Sequence, residues 1–211
     1  MPIIHFITRG CSANQADSEI MQGILQEKGF SISDEEDKAD AIVFNSCTVK
    51  GPSISYFKKK IKELDAEGKK VIVTGCIPQS NRNFEALAGH SLLGTYQIDK
   101  IGEIVAKTIN GQIAISLDKE EKPRLNLPKV RKNNLIAIVP ILQGCLSSCT
   151  FCKTKHARGN AFSHTPREIV QHISFAARDG AKEVWLTSQD NGVYGFDLGT
   201  TLAHLLKEIC T

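Results

Sequence analysis

Seven cysteines are the residues of this 211-residue chain whose number and spacing could do chemistry. Their odd count, in a sequence that starts without the basic, apolar and small-residue parts of an export signal, favours reduced thiols over disulfides. Reduced thiols can bind metals or act as nucleophiles. The segment GCLSSCTFC places three of the cysteines within eight residues, at Cys145, Cys149 and Cys152.

The C-x3-C-x2-C spacing of these three residues can wrap one small inorganic centre. Three thiolates suit a four-iron cluster that keeps one iron open for a substrate. The alternative is zinc, with His156 completing a closed tetrahedral set. The segment follows a predicted strand, LIAIVPIL, and the loops at the carboxyl ends of barrel strands hold active sites, which favours iron.

Three further cysteines, Cys11, Cys47 and Cys76, each follow an apolar run: IIHFITRGC, AIVFNSC and VIVTGC. The carboxyl ends of parallel strands lie along one edge of a sheet, so the topology predicts that these three residues converge. The alternative is three buried small residues, because cysteine is often fully buried. Cys210 lies at the end of a helical pattern without a motif around it, which indicates a core or incidental residue.

The elements that must position these cysteines alternate between strands and helices, as in an α/β layer. Continuous β-branched runs are typical of parallel strands that are buried on both faces. We expect residues 1–118 to form a doubly wound, flavodoxin-like parallel sheet. The predicted strands are 3–8, 41–45, 71–75 and 113–117, and the predicted helices are 17–28, 53–67 and 99–109.

Residues 119–134, with two prolines and a basic second half, are predicted to be a linker that runs over the surface. Residues 135–211 then contain two β/α repeats, whereas a closed barrel of such repeats needs eight. We expect an incomplete β/α barrel. Its predicted strands are 135–142 and 182–188, and its predicted helices are 165–178, capped by Thr165, and 200–209.

The composition excludes some classes of protein. Hydrophobic residues make up 41% of the chain and charged residues 23%, which excludes disorder over most of its length. No apolar run approaches the roughly 18 to 20 residues of a membrane helix, and we expect a soluble, cytoplasmic protein. A net charge of +3 is too small to indicate a nucleic-acid partner by itself.

Several motifs in one order resemble the methylthiotransferase family of radical S-adenosylmethionine enzymes. The matching segments are GCSANQADS, NSCTVK, GCIPQ, GCLSSCTFCKTKHARGN and EVWLTSQDNGVYG. Within that family, KTKHARGN, NSCTVK and LPKVRKN are similar to the archaeal and eukaryotic branch, the threonylcarbamoyladenosine tRNA methylthiotransferases. The resemblance runs from Ile3 to the last residues of the chain.

The resemblance implies two [4Fe-4S] clusters and S-adenosylmethionine as cofactors. Cys145, Cys149 and Cys152 would bind the cluster that chelates S-adenosylmethionine. Cys11, Cys47 and Cys76 would bind an auxiliary cluster from which sulfur is delivered. The residues expected to contact S-adenosylmethionine are Phe151, Ser188, Gln189 and Asp190, although the Gly-Gly-Glu found near the last three in many relatives is absent. Asn14 and Gln79 are candidates for hydrogen bonds to the auxiliary cluster, with capping as the alternative.

The family's reaction replaces the hydrogen at carbon 2 of a modified tRNA adenine with a methylthio group. The resemblance therefore implies tRNA, an electron-donor protein and a sulfur donor as partners. A protein side chain is the substrate of ribosomal relatives and remains the alternative. Because the barrel is incomplete, we expect weak tRNA binding and impaired turnover. The basic residues predicted to contact RNA phosphates are Lys153, Lys155, Arg158, Lys129, Arg131 and Lys132.

Overall fold

The first part of the chain forms a six-stranded parallel sheet in the computed structural model, which describes residues 1–49, 51–122 and 124–211. Lys50 and Pro123, which fall in the NSCTVK motif and the predicted linker, lie outside the described residues. The strands, in chain order, are β1 (Ile3–Thr8), β2 (Ser31–Ile32), β3 (Ala41–Ser46), β4 (Val71–Gly75), β5 (Ser91–Leu93) and β6 (Ile115–Ser116). Their order across the sheet is β2-β1-β3-β4-β5-β6, so the predicted flavodoxin-like parallel sheet is confirmed.

Helices cover both faces of this sheet. They are α1 (Ser12–Glu27), α2 (Gly51–Ala66), the short α3 (Cys76–Ser80) and α4 (Ile101–Ile109), with 3₁₀ turns at Glu85–Leu87 and Ile98–Lys100. Successive residues of β3 point to opposite faces, as strand geometry requires. Val43 packs with α1 and α4, whereas Ile42 and Phe44 pack with α2, which gives the two cores of a doubly wound layer.

The second part of the chain contains the two predicted β/α repeats. Its elements are β7 (Ile136–Pro140), β8 (Leu142–Gln143), α5 (Lys153–Arg158), β9 (Phe162–Ser163), α6 (Pro166–Arg178), β10 (Glu183–Thr187) and α7 (Leu202–Cys210), with 3₁₀ turns at Asn191–Val193 and Phe196–Leu198. Strands β7 and β10 pair in parallel, and β8 and β9 pair antiparallel. Thr165 caps α6 as predicted, in a reciprocal capping box with Glu168.

The predicted linker does not simply run over the surface. Arg124 and Leu125 are 7% and 3% exposed, and Leu125 joins the core of the second part. The segment packs closely on α1 at Gly23, where an added Cβ would lie 2.4 Å from the Lys129 backbone nitrogen. The surface prediction is wrong for these residues, because Arg124 pairs with the buried Asp17 of α1 and Leu125 packs in the core of the second part.

Candidate functional site

The three strand-end cysteines leave the sheet at the same edge. Strands β3 and β4 end in register, with Ser46 beside Gly75, so Cys47 and Cys76 follow side by side. Cys11 leaves β1, which pairs with the other side of β3, and forms the N-cap of α1. Parallel topology alone produces this arrangement, because all three strands point to one edge.

Asn14 lies between two of these cysteines, Cys11 and Cys76. Its Oδ1 lies 3.4 Å from Cys11 Sγ and 3.9 Å from Cys76 Sγ. Its Nδ2 donates to Asn45 Oδ1 at 2.8 Å and to the Ser46 carbonyl at 3.1 Å. Asn14 is fully buried, so these bonds fix the first turn of α1 against the end of β3.

A second buried amide extends the same network. Asn45 Nδ2 donates to the Asn14 carbonyl at 2.8 Å and to Ser18 Oγ at 2.9 Å. Gly75 lies against this amide with a φ of +91°, and an added Cβ would meet Asn45 Oδ1 at 2.3 Å. Only glycine combines that backbone conformation with so close an approach. The hydrogen bonds of the two amides and the close approach of Gly75 thus hold this sheet edge together without a cofactor.

Asp17 carries a buried cluster of charges beside the cysteines. Its Oδ2 lies 2.7 Å from Arg158 Nη2, and its Oδ1 lies 3.4 Å from Arg124 Nη1. Burial by itself would lower the pKa of Arg158, but the Asp17 carboxylate and the nearby thiols hold that pKa above its ordinary value. Burial raises the pKa of the Cys76 thiol, and Arg158 opposes part of that increase.

The buried position of Arg158 argues against the predicted contact between its side chain and RNA phosphates. The side chain is 3% exposed and is paired with a carboxylate. Sequence reasoning missed Asp17, although an acid within the GCSANQADS motif, on the face of α1 that follows Cys11, was the available signal.

The C-x3-C-x2-C loop has a different character. Cys149 and Phe151 are exposed, Phe151 to 86%. Local backbone bonds shape the loop, such as the 3.1 Å bond from the Cys152 N–H to the Cys149 carbonyl. Cys152 is the N-cap of α5, and the Lys155 ammonium donates to the Cys145 carbonyl.

The residues after β10 meet this loop. Gln189 Oε1 accepts a hydrogen bond from the Gly144 N–H at 2.6 Å, and Asp190 Oδ2 lies 4.0 Å from Cys145 Sγ. The Ser188 hydroxyl instead bonds to Asn191. The structure therefore brings Gln189 and Asp190 to the cysteine loop, whereas the Ser188 hydroxyl bonds to Asn191 and not to the loop.

A cleft of about 530 Å³ lies between the two cysteine regions. Its volume is in the range of ligand-binding sites. The neighbours of Cys47 and Cys76 form one side, and the residues around Cys149 and Cys152 form the other. The lining residues are Thr48, Ile54, Ile77, Ser80, Asn81, Phe84, Thr150, Phe151, Lys153 and His156.

Most of the other predicted RNA-binding cations have partners within the chain. Lys129 Nζ donates to the Ile138 carbonyl at 3.0 Å, and burial lowers the pKa of Lys129 to about 8. Arg131 Nη2 lies 2.8 Å from Asp179 Oδ2. Lys132 and Lys153 are exposed, and Lys153 lines the cleft.

The donor set fits iron–sulfur clusters better than zinc. Among residues 1–49, 51–122 and 124–211, no three His, Cys, Asp or Glu side chains are arranged to hold one metal ion, so the tetrahedral set with His156 is not assembled. Cluster thiolates each bind a different iron atom and do not need to converge on one point. Gln79 is less suited to contact a cluster, because its Nε2 donates to the Leu117 carbonyl at 3.0 Å.

A parallel α/β sheet with three cysteines at its edge, followed by β/α repeats with a C-x3-C-x2-C loop, is the arrangement that the methylthiotransferase resemblance predicts. Comparison with known proteins confirms that resemblance. Residues 3–92 match the family described as "Uncharacterized protein family UPF0004".

The similarities that cover nearly all of this chain are to tRNA methylthiotransferases. The chain is 44% identical over 209 residues to the threonylcarbamoyladenosine tRNA methylthiotransferase of Xenopus laevis, covering 96% of this chain and 38% of that protein. It is 43% identical over 209 residues to the human enzyme of that name, covering 96% and 36%. It is 41% identical to a probable enzyme of the same name from Pyrococcus abyssi, covering 98% and 49%. The chain thus spans half or less of the length of these relatives.

A solved structure shows the same fold at low sequence identity. The radical S-adenosylmethionine methyltransferase TsrM from Kitasatospora setae aligns with a TM-score of 0.62 and 13% identity, covering 99% of this chain and 50% of that one. Separately, no helix in the part of the chain that the structure describes is long and apolar enough to cross a membrane.

Proposed function

We propose that this chain supplies the cluster-binding sites for methylthiolation of carbon 2 of N6-threonylcarbamoyladenosine in tRNA, a cytoplasmic substrate. One observation carries the proposal: cysteines from three separate strands meet at one sheet edge, and the cysteine loop of the second part lies across a shared cleft. The names of the similar proteins in animals and archaea support the choice of reaction.

Cys145, Cys149 and Cys152 would hold one [4Fe-4S] cluster in the exposed loop. A cluster bound there would supply an electron to S-adenosylmethionine and so the radical chemistry that an unactivated C–H bond requires. Phe151 would cover the cofactor from the loop. Gln189 fixes the loop through the Gly144 N–H, and Asp190, whose Oδ2 lies 4.0 Å from Cys145 Sγ, would accept hydrogen bonds from the amino group of the cofactor.

Cys11, Cys47 and Cys76 would hold the second [4Fe-4S] cluster, which would be the source of the transferred sulfur. Asn14 Oδ1 lies within 4 Å of both the Cys11 and the Cys76 sulfur atoms, so two of the three proposed ligands share one neighbour that is fixed to the sheet. The cleft lies beside both sites and would admit the flat adenine ring against its apolar residues, Ile54, Ile77 and Phe84.

The exposed lysines would contact the phosphates of the RNA. Lys153 stands at the cleft, and Lys132 is exposed beside α1, so both ammonium groups are available to a polyanion. Three other cations, Lys155, Lys129 and Arg131, would support the RNA-binding surface without contacting phosphates directly. Their side chains already bind backbone carbonyl or carboxylate groups of the chain. An electron-donor protein and a sulfur donor complete the proposed set of partners.

The test is mass spectrometry of tRNA nucleosides from a strain that lacks its own enzyme for this modification and expresses the gene that encodes this chain. We expect the methylthio product with the unchanged gene and with Cys210→Ala, and none with Cys149→Ala. Cys210 is the matched control, since it is an exposed cysteine outside both sites.

Unmodified tRNA together with a methylthiolated ribosomal protein in the same cells would contradict the tRNA assignment and identify a protein side chain as the substrate. Restoration of the product by Cys149→Ala would show that the cysteine loop does not carry the chemistry.

A further inference from the structure

The cleft between the two cysteine regions carries positive charge and no opposing carboxylate. Of the described residues that line it, Lys153 supplies an ammonium group and none is Asp or Glu. Lys58 adds a second cation at the apolar wall, where its Nζ lies 5.2 Å from the centroid of the Phe84 ring. A cleft lined by one sign of charge attracts a ligand of the opposite sign. The charges of this cleft therefore favour an anionic ligand.

The Lys153 side chain is free to meet such a ligand. It is exposed, and within the part of the chain that the structure describes it has no ion pair and no hydrogen bond. Its backbone is held in place, because Lys153 lies in the first turn of α5, which packs against α3. Lys155 of the same helix differs, since its ammonium already donates to the Cys145 carbonyl. Lys153 thus combines a fixed backbone position with a charge that the fold does not use.

The substrate of the proposed reaction carries an anion on its base. As the name N6-threonylcarbamoyladenosine states, a carbamoyl group joins the amine of threonine to the adenine, which leaves the threonine carboxylate free. That carboxylate is ionised at pH 7. Because it is attached to the base and not to the RNA backbone, it would enter the cleft together with the adenine ring.

The cleft has room and hydrogen-bonding groups for this substituent. Its volume of about 530 Å³ exceeds what a flat purine ring alone requires. Beside Lys153, the lining includes Ser80 and Asn81 at the end of α3. Asn81 Oδ1 accepts a hydrogen bond from the Asn83 N–H at 3.2 Å, whereas Asn81 Nδ2 has no partner among the described residues. An amide donor and an ammonium donor thus line the same cleft, and one carboxylate can accept from both.

We propose that Lys153 selects the threonylcarbamoyl group of the substrate by pairing with its carboxylate, with Asn81 as a second donor. This inference rests on the proposed function and names the residue that distinguishes this substrate from an adenosine with a neutral substituent. The three N–H donors of the ammonium allow it to contact a neighbouring phosphate as well. The carboxylate contact is the one that carries selectivity, because every RNA has phosphates.

The test compares two RNAs that differ only in that carboxylate. Both are anticodon stem–loops with the modified adenosine, one as the free acid and the other as its neutral methyl ester. Their affinities for the chain, reconstituted with iron and sulfide without oxygen, are measured by fluorescence anisotropy. We expect the unchanged chain to bind the acid about tenfold more tightly than the ester, as for one hydrogen-bonded contact with a charged group. Lys153→Met should reduce this preference to less than about twofold.

Lys153→Arg and Lys207→Met are the control variants. Lys153→Arg keeps the positive charge and should keep most of the preference for the acid. Lys207→Met removes an exposed lysine of α7, outside the cleft, and should leave the preference unchanged. An equal loss of affinity for both RNAs in Lys153→Met would show that Lys153 contacts a phosphate only, and it would overturn the inference.

The same titrations separate this inference from the proposed function. Equal affinities of the unchanged chain for the acid and the ester would overturn the selection of the carboxylate and leave the proposed function standing. Binding of neither RNA by the unchanged chain would contradict the proposed function together with this inference.

Discussion

The two cysteine regions of this molecule are built in opposite ways. The sheet-edge site draws Cys11, Cys47 and Cys76 from three strand ends, and buried Asn14 and Asn45 tie those ends together. The loop site takes its three cysteines from one exposed segment that local backbone bonds shape. The first site depends on the fold, and the second depends mainly on a contiguous sequence. Substitutions in the two regions should therefore have different consequences for stability.

The largest expected effect comes from Asn14→Ala. The change removes the two hydrogen bonds that Asn14 Nδ2 donates, to the buried Asn45 Oδ1 and to the Ser46 carbonyl, together with the contacts of Asn14 Oδ1 with two cysteine sulfur atoms. Each such loss costs about 1–3 kcal/mol, so we expect the free energy of unfolding to fall by about 4 kcal/mol. Urea denaturation of the metal-free chain measures it. Asn191→Ala, at an exposed amide in the second region, is the control and should cost less than about 1 kcal/mol. Equal losses of unfolding free energy in Asn14→Ala and Asn191→Ala would show that the two cysteine regions do not differ in how much they depend on the fold.

Acid should lower the stability mainly of the second part of the chain, residues 135–211. Burial lowers the pKa values of His164 and His172 to about 4. Below pH 6.5 the unfolded chain binds protons at these residues and the folded chain does not, so stability falls as the pH decreases from about 6.5 towards 4. For His164, which is 4% exposed, the loss reaches about 3 kcal/mol.

Unfolding of His164→Gln, measured at pH 7 and pH 4.5, checks this acid dependence. The variant should lose a large part of it. His204→Gln removes an exposed histidine and should keep the full dependence. An unaltered pH profile in His164→Gln would contradict the assignment.

Gly159→Ala tests how closely the two regions pack. Gly159 has a φ of +69°, and an added Cβ would lie 2.0 Å from the hydroxyl oxygen of Tyr96 in the first region. Gly180 has a φ of +89° and open space around it, so Gly180→Ala carries the backbone strain alone, about 1 kcal/mol. We expect Gly159→Ala to lower the thermal stability further, by about 2 kcal/mol beyond the control. Equal unfolding temperatures of Gly159→Ala and Gly180→Ala would show that Tyr96 moves away from the added methyl group at no cost in stability.

Cys149→Ala should have the smallest effect on the metal-free chain. The residue is exposed and its side chain has no partner among the described residues, so the free energy of unfolding should change by less than about 0.5 kcal/mol. Denaturant titration checks it. A loss of several kcal/mol would show that the loop is as dependent on the fold as the sheet edge.

The elements around both sites could be predicted to different degrees. The strands that end before Cys11, Cys47 and Cys76 were predictable because continuous β-branched runs mark buried parallel strands. Helix α1 begins at Ser12, five residues before the predicted start. The prediction missed its first turns because they bury polar groups and lack the apolar stripe by which a helix is recognised in a sequence. The short β5, α3 and α5 are too brief for any periodicity to reveal.

The sites were predictable where topology or spacing decides them. Strand order brings the three strand-end cysteines to one edge, and that followed from the β/α alternation. The pairing of Arg158 with Asp17 did not, because 141 residues separate them and only tertiary packing joins them. For the same reason, sequence reasoning assigned Arg158 to RNA rather than to a buried ion pair.

The most direct test of two separate cluster sites is the iron and labile sulfide content after reconstitution without oxygen. The unchanged chain and Cys210→Ala should each bind about eight iron and eight sulfide per chain, and Cys47→Ala and Cys149→Ala should each bind about four. One zinc and no iron, or a full eight iron in Cys47→Ala, would contradict the account.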